Sequence, residues 1–128
     1  SHLHQEDLET LPHNIHVTDW IPTHQLGDAV DLAITHGGEG TVQTSCVQGW
    51  PFIGIPLQLE QRFNVQRCVA FGSARLVSQK EARRADWAAL VREALADDVM
   101  RSRARRMAKL MKGLDGPGRA AEAICKLL

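Results

Sequence analysis

A chain of 128 residues has room for one domain with a hydrophobic core but not for two substantial lobes. Hydrophobic residues make up 44% of the chain and charged residues 23%, proportions that argue against a disordered or membrane-embedded protein. Fifteen basic residues balance fifteen acidic ones, so no net charge draws in nucleic acid or an anionic membrane, and any bound anion must be held by local groups.

The cysteines and the ends of the chain bear on the cellular compartment. Cys46, Cys68 and Cys125 are odd in number and far apart, which favours reduced and mostly buried thiols. No apolar run approaches the roughly 20 residues of a membrane helix, and the first residues lack the charged and apolar regions of a signal peptide. We therefore expect a cytoplasmic protein.

The first half of the chain alternates between two kinds of predicted element. Runs of apolar residues predict short strands at residues 14–18, 32–35 and 52–56. Helices are predicted near residues 25–30 and over 41–48. The strand at 52–56 is apolar on both faces, which is typical of a buried strand in a parallel sheet.

The second half continues the alternation and ends in helices. A helix over residues 60–71 is closed by Gly72, and a last strand follows at 74–77. Apolar stripes predict a helix over 82–96 and a second one, capped by Asp97 or Asp98, that runs through Lys112 to Gly113. Gly116 and Pro117 open a final helix that reaches residue 128. The predicted fold is α/β, a Rossmann-like parallel sheet with helices on both faces, which binds ligands beyond the carboxyl ends of its strands.

A glycine-rich turn lies at one of those carboxyl ends. Residues 35–41 read T-H-G-G-E-G-T, and three glycines allow a backbone to come close to a ligand. The helix that follows offers unpaired amides and a positive dipole end, which favour a phosphate, and His36 and Thr41 can add hydrogen bonds. Taken alone, a glycine cluster is also consistent with a plain tight turn.

Four sequence blocks in order give this turn a context. They are W-I-P at residues 20–22, the turn at 35–41, G-W-P-F-I-G-I-P at 49–56, and E-Q-R-F-N at 60–64. Together they resemble the donor-binding signature of nucleotide-sugar-dependent glycosyltransferases of the GT-B fold, the family of UDP-glycosyltransferases and macrolide-type glycosyltransferases. The blocks span about a third of the chain. The later helices agree with the family in pattern more than in motif.

The resemblance implies a role for each matching residue. Trp20 would stack on the nucleotide base, and the Ile21 backbone would pair with the base edge. His36 would contact the diphosphate within a cradle of backbone and hydroxyl groups, and two side chains at the last block would hold sugar hydroxyls. The implied donor-binding set is Trp20, Ile21, His36, Gly38, Gly40, Thr41, Glu60 and Gln61.

Two departures leave the base open. Thr23 stands where plant-type members carry a glutamine, and Thr44 stands where uridine-selective members often carry a glutamate for the ribose hydroxyls. The resemblance therefore leaves uridine, thymidine or another nucleotide open, and we expect a nucleoside diphosphate sugar of the UDP or TDP type as the donor. The pattern is more similar to bacterial antibiotic, macrolide and flavonoid-type enzymes than to plant ones.

The resemblance also shows what the sequence lacks. The family has an amino-terminal lobe with the acceptor site and catalytic base, and two strand–helix units before the strand predicted at 14–18. We therefore expect residues 1–128 to form a donor-binding domain that binds a nucleotide sugar without completing the reaction, with no catalytic residue of its own. One absent strand lies beside the 32–35 strand in the family, so we expect its open edge to be filled by rearrangement, a partner chain or dimerisation.

The leading hypothesis is the donor half of an inverting sugar transfer to a small-molecule hydroxyl, with no metal and no cofactor. The acceptor-binding lobe would be supplied in cis or by another chain. The alternatives are a non-catalytic nucleotide-binding module and a dimerisation module. His2, His4, His13 and His16 are too loosely spaced to favour a metal site, and the arginines of 101–106 are typical of a solvated helix face rather than of a nucleic-acid surface.

Overall fold

A computed structural model describes residues 11–127 of the chain. Three short strands form one parallel sheet in the order β1-β2-β3, with Ala33 opposite Phe52 and Phe52 opposite Ala74. In chain order the elements are β1 (Ala33–Thr35), α1 (Glu39–Gln48), β2 (Phe52–Gly54), α2 (Leu59–Phe71), β3 (Ala74–Leu76), α3 (Gln79–Ala82), α4 (Trp87–Ala96), α5 (Asp98–Lys112) and α6 (Gly116–Cys125).

Helices cover both faces of the sheet, as predicted. Phe52 and Ile53 are successive residues of β2, so their side chains point to opposite faces, and both are almost completely buried. Phe52 packs with residues of α1 and α2, whereas Ile53 packs with Ala94 of α4 and Met100 of α5. β2 is therefore the common wall of two hydrophobic cores, which explains why its sequence is apolar on both faces.

Local signals fix the ends of the helices. Gly49 and Gly72 both adopt left-handed backbone angles, with φ of 77° and 91°, and end α1 and α2. Asp97 accepts a hydrogen bond from the Met100 amide and caps α5, which ends at Gly113. These boundaries agree with the sequence to within one or two residues.

The prediction of a strand at residues 14–18 is wrong, because this segment is irregular in the structure. A strand needs a neighbouring strand with which to form hydrogen bonds. In the described part of the chain, β1 pairs only with β2, so residues 14–18 have no partner in the sheet. The helix predicted near 25–30 is instead two single 3₁₀ turns, Thr23–Gln25 and Gly27–Ala29.

The prediction of a single helix over 82–96 is also wrong, because the chain is not helical between α3 and α4. Asp86 caps the start of α4 by accepting a hydrogen bond from the Ala89 amide. The Trp87 indole donates to the Ala82 carbonyl across the break. The final helix, predicted to run to residue 128, ends at Cys125; residue 128 lies outside the described residues. Within residues 11–127, no helix is both long and apolar enough to cross a membrane.

One edge of the sheet is open in the described part of the chain. Ala33 donates to Pro51 and Thr35 accepts from Ile55, so the intervening Ile34 directs its own N–H and carbonyl away from β2. The Ile34 side chain lies on the same face as Ile53 but is 50% exposed. The rearrangement that we considered for this edge does not occur within residues 11–127.

Candidate functional site

The glycine-rich turn joins the carboxyl end of β1 to the amino end of α1, and its shape is held by hydroxyl groups. The Thr35 hydroxyl donates to Thr41 Oγ1 over 2.8 Å and accepts from the Gly37 amide over 3.2 Å. The Thr41 hydroxyl in turn donates to the Gly38 carbonyl over 2.9 Å. The two threonines at the ends of the turn thus close it into a compact loop.

The amino end of α1 has no side-chain cap. Gly38 is the N-cap, and the first helical hydrogen bond runs from the Val42 amide to the Gly38 carbonyl. The amides of Glu39, Gly40 and Thr41 therefore have no partner within the helix, and all three residues are exposed. Unpaired amides at a helix start, together with the helix dipole, favour an anion at this point.

His36 lies against this helix start. Its ring is so close to Gly38 that a Cβ at Gly38 would lie 2.7 Å from His36 Nε2, and the histidine is exposed to solvent. A groove of about 640 Å³ opens beside it. Three predicted donor-binding residues line this groove, namely His36, Gly40 and Thr41. Thr23 and Thr44, the two positions that depart from the family pattern, line it as well.

The start of α2 faces the same turn through Asn64. The Asn64 amide donates to Glu60 Oε1 over 2.7 Å and to the Gly37 carbonyl over 3.3 Å. Glu60 is exposed, and only one of its carboxylate oxygens takes part in this contact. Asn64 thus links the carboxylate predicted to hold the sugar to the turn predicted to hold the diphosphate.

Gln61 caps the start of α2, a structural role that was not predicted from the sequence. Its side chain is buried, and Oε1 accepts hydrogen bonds from the amides of Leu57 and Gln58 at 2.9 and 3.2 Å. The contact with the Gln58 amide belongs to a capping box at the start of α2, and a glutamine at the third helical position was the sequence signal for it. Its Oε1 is therefore committed to the fold, and Nε2 is the group left for a ligand.

Trp20 and Ile21 are not brought to the groove in this structure. Trp20 is 74% exposed, and its backbone forms a tight turn with the Thr18 hydroxyl. The Ile21 carbonyl accepts from the Thr23 amide over 2.8 Å. Of the described residues that line the groove, the nearest in sequence to this pair is Thr23.

The segment that follows Trp20 is anchored to the end of α1. The Gln48 amide donates to the His24 carbonyl over 2.8 Å, and the Trp50 indole donates to the Gly27 carbonyl over 2.7 Å. These two bonds hold the 3₁₀ turns against the helix. They fix the segment that leads from Trp20 into β1.

Comparison with known proteins decides the family. Residues 1–127 match the family model described as Erythromycin biosynthesis protein CIII-like, C-terminal domain. The chain belongs to this family. It is 34% identical over 122 residues to the oleandomycin glycosyltransferase of Streptomyces antibioticus, an alignment that covers 92% of this chain and 27% of the relative.

Solved structures agree with this assignment. The calicheamicin glycosyltransferase superposes with a TM-score of 0.82 at 28% identity, over 95% of this chain and 31% of that one. A glycosyltransferase of Streptomyces sp. SF2575, solved in complex with thymidine diphosphate, superposes with a TM-score of 0.62 at 24% identity, over 83% of this chain and 28% of that one. The chain spans about a third or less of the length of these proteins, and its fold is that of the carboxy-terminal part of GT-B glycosyltransferases.

A second groove of larger volume lies elsewhere on the chain. That groove, of about 820 Å³, lies between the end of β3 and helices α3 and α4, and the predicted donor-binding residues do not line it. No cluster of three or more histidine, cysteine, aspartate or glutamate side chains within residues 11–127 is arranged to hold a metal ion. The site offers amides, hydroxyls, the His36 imidazole and the carboxylates of Glu39 and Glu60.

Proposed function

We propose that this chain binds the donor in a glycosyltransferase that moves a sugar from a nucleoside diphosphate sugar to a hydroxyl of a small-molecule acceptor, with inversion at the anomeric carbon. The observation that carries the proposal is the uncapped start of α1, which lies beside His36. The Thr35 and Thr41 hydroxyls hold the preceding turn in shape. The family membership supports it. The acceptor lobe would come from the same protein or from another chain.

The proposed chemistry is electrostatic. As the glycosidic bond breaks, the diphosphate leaving group gains negative charge. The Gly40 and Thr41 amides and the His36 imidazole would then bind the leaving group more tightly than the intact donor. The Thr41 hydroxyl could join them only by giving up its hydrogen bond to the Gly38 carbonyl. Gly38 contributes by leaving room for the His36 ring. The resulting stabilisation of the transition state requires no metal.

We assign the sugar end of the donor to the start of α2. Glu60 would accept hydrogen bonds from sugar hydroxyls through the carboxylate oxygen that Asn64 leaves free, and Gln61 would donate through Nε2 because its Oε1 caps the helix. The two side chains then offer an acceptor and a donor from neighbouring positions. Such a pair can hold two hydroxyls of one sugar.

We assign the base to Trp20 and to the backbone of Ile21. Because the Trp20 indole is exposed, a flat base can stack on it without displacing a packed side chain. Thr44 donates its hydroxyl to the Gly40 carbonyl and brings no carboxylate to the groove. Position 44 therefore offers no carboxylate to the ribose hydroxyls, and thymidine and uridine diphosphates are both candidates.

Calorimetric titration of the chain with these two nucleotides tests the donor site. We expect saturable binding of at least one nucleotide, and loss of affinity in Trp20→Ala and His36→Ala. His16→Ala, which replaces another exposed histidine, and Trp20→Phe, which keeps an aromatic face, are the matched controls. Absence of nucleotide binding to the folded chain would argue against a donor site formed by these residues alone.

The catalytic part of the proposal needs the intact protein. There, His36→Ala should lower turnover by roughly 100-fold, the scale of losing one group that stabilises the transition state. Unchanged turnover with unchanged donor affinity would contradict the role given to His36. Binding without any transfer by the intact protein would instead favour the non-catalytic nucleotide-binding module.

A further inference from the structure

Two cysteines from different helices meet beneath the candidate site. Cys46 lies in α1 and Cys68 in α2, 22 residues apart in the sequence, and their Sγ atoms are 3.8 Å from one another. Cys68 belongs to the buried core cluster that contains Val42 and Val65, and the partly buried Cys46 packs against this cluster. The donor-binding roles proposed above use neither thiol.

The thiol pair is reachable from solvent. A groove of about 310 Å³ runs between α1 and α2, and both cysteines line it. Glu39 and Asn64 stand at one side of this groove, with Arg67 and Met111 further along. Cys46 is partly exposed, whereas Cys68 is buried apart from the surface that it presents to the groove. The groove therefore gives a small molecule a route to the two thiols.

The two thiols are chemically unequal. The hydrogen bond between the two thiols raises the pKa of Cys46, and burial acts in the same direction. The same hydrogen bond lowers the pKa of Cys68, because it stabilises the thiolate, and this effect exceeds the opposing effect of burial. Cys68 is thus the better nucleophile of the pair, and Cys46 retains its proton beside it.

We propose that Cys46 and Cys68 form a peroxide-sensitive dithiol that closes into a reversible intramolecular disulfide. A disulfide bond places its sulfur atoms about 2.05 Å apart, so the two sulfurs need to approach by less than about 2 Å from their present contact. The proposal requires that side-chain rotation and a small adjustment of the two helices supply this movement. The oxidant is hydrogen peroxide or another small peroxide.

The reaction is balanced by the two thiols and one peroxide. The Cys68 thiolate attacks one peroxide oxygen, the O–O bond breaks, and Cys68 becomes a sulfenic acid while hydroxide leaves. Cys46 then loses its proton, its sulfur attacks the Cys68 sulfur, and the S–O bond breaks with release of a second hydroxide. The thiol protons convert both hydroxides to water. Overall, the thiols lose two electrons, and the peroxide is reduced to two molecules of water.

A disulfide here would join the two helices whose starts form the candidate site. The amides of the glycine turn belong to the start of α1, and Glu60, Gln61 and Asn64 belong to the start of α2. The bond would fix the spacing of the helices in the core just below these groups. The proposal does not depend on which ligand the site binds, because it concerns the thiols alone.

Peptide mapping of the oxidised chain tests the proposal. The folded chain is reduced, treated with hydrogen peroxide, alkylated with iodoacetamide and digested with trypsin. The first lysine or arginine in the sequence is Arg62, so Cys46 lies in the peptide 1–62, Cys68 in 68–75 and Cys125 in 120–126. We expect a species that joins 1–62 to 68–75, lacks the mass of two hydrogen atoms and separates again on reduction with dithiothreitol.

The variants separate this pair from the exposed third cysteine. Cys125→Ser should give the same cross-linked peptide at the same rate, whereas Cys46→Ser, which changes a partly exposed residue, should abolish it. The oxidised protein should also melt at a higher temperature than the reduced one, because the bond constrains the unfolded chain. Full alkylation of both cysteines, sulfinic acid on Cys68 without a cross-link, or linkage through Cys125 alone would overturn the proposal.

Discussion

Val65 packs against Gly37 so closely that a Cβ at Gly37 would lie 2.5 Å from Val65 Cγ2. A Cβ at Gly54 of β2 would lie at the same distance from both methyl groups of Val65. A single fully buried valine of α2 thus occupies the space left by two glycines, one in the sheet and one in the turn. This contact seats the glycine turn on the core.

We predict that Gly37→Ala destabilises the fold by about 1–3 kcal/mol, because the new methyl group meets Val65 and Gly37 has a φ of 85°, where a side chain is strained. Chemical denaturation measures the change. Gly40→Ala is the matched control, since a Cβ there meets nothing within 4 Å and alanine suits a helix better than glycine. Equal stabilities of the two variants would show that the turn is not seated as described.

The bridge made by Asn64 gives a second prediction. Asn64→Ala should destabilise the fold by about 0.5–1.5 kcal/mol, because the Gly37 carbonyl and Glu60 lose a shared donor. Asn64→Asp should be worse at neutral pH, because it puts a carboxylate against a carboxylate and a carbonyl. Urea denaturation at neutral and acid pH compares the two variants. The aspartate variant should approach the alanine variant in acid, and a constant gap would contradict the contact.

The capping role of Gln61 can be separated from its proposed contact with the sugar. Gln61→Ala removes the acceptor for two amides and should cost about 1–2 kcal/mol, whereas Gln61→Glu keeps an acceptor oxygen and should cost less. Thermal unfolding without ligand measures both changes. If the side chain served only the ligand, neither substitution would change the stability of the free protein.

Asp97 predicts a pH dependence of stability. The Met100 amide and then the Arg75 guanidinium, 2.9 Å from Asp97 Oδ2, hold the pKa of this carboxyl below its usual value. A lowered pKa in the folded state means that the contribution to stability is complete above the pKa of the unfolded chain and is lost as pH falls through the folded-state pKa. Asp97→Asn should therefore lower the melting temperature at neutral pH, and the difference from the parent should shrink in acid.

The neighbouring carboxylate is the control for that experiment. Asp98 is far more exposed than Asp97 and pairs with Arg101 one helical turn away, an arrangement that contributes little to stability at a surface. Asp98→Asn should change the melting temperature less than Asp97→Asn at neutral pH. A larger effect at Asp98 would contradict the importance given to the cap and to Arg75.

The parts of the fold that sequence predicted well depend on local signals. The strands at β1, β2 and β3 follow from short apolar runs, and the ends of α1 and α2 follow from glycines that accept left-handed backbone angles. The order of the turn after β1 and the helix after the turn brings His36 and Thr41 to one groove, whereas their role in donor binding stays a prediction. These features needed no knowledge of distant contacts.

The parts that sequence missed depend on pairing across the chain. Residues 14–18 have a strand-like pattern, but a strand exists only where a neighbour accepts its hydrogen bonds. The contact between Cys46 and Cys68 joins two helices, and no spacing rule marks it. The break before Trp87 is different, because Asp86 was a readable helix cap that the apolar stripe of 82–96 outweighed in the prediction.

The shortness of β1 has a consequence for how the protein behaves in concentrated solution. Within residues 11–127 the outer edge of β1 is unpaired and offers one N–H and one carbonyl, both from Ile34. A foreign strand therefore gains at most about two backbone hydrogen bonds by docking there. The free energy of two hydrogen bonds is too small to bind arbitrary peptide segments stably. Very short edge strands are one means by which natural sheets avoid aggregation. Only a segment whose side chains also cover the exposed Ile34 would bind well, which makes the edge selective and guards against uncontrolled polymerisation.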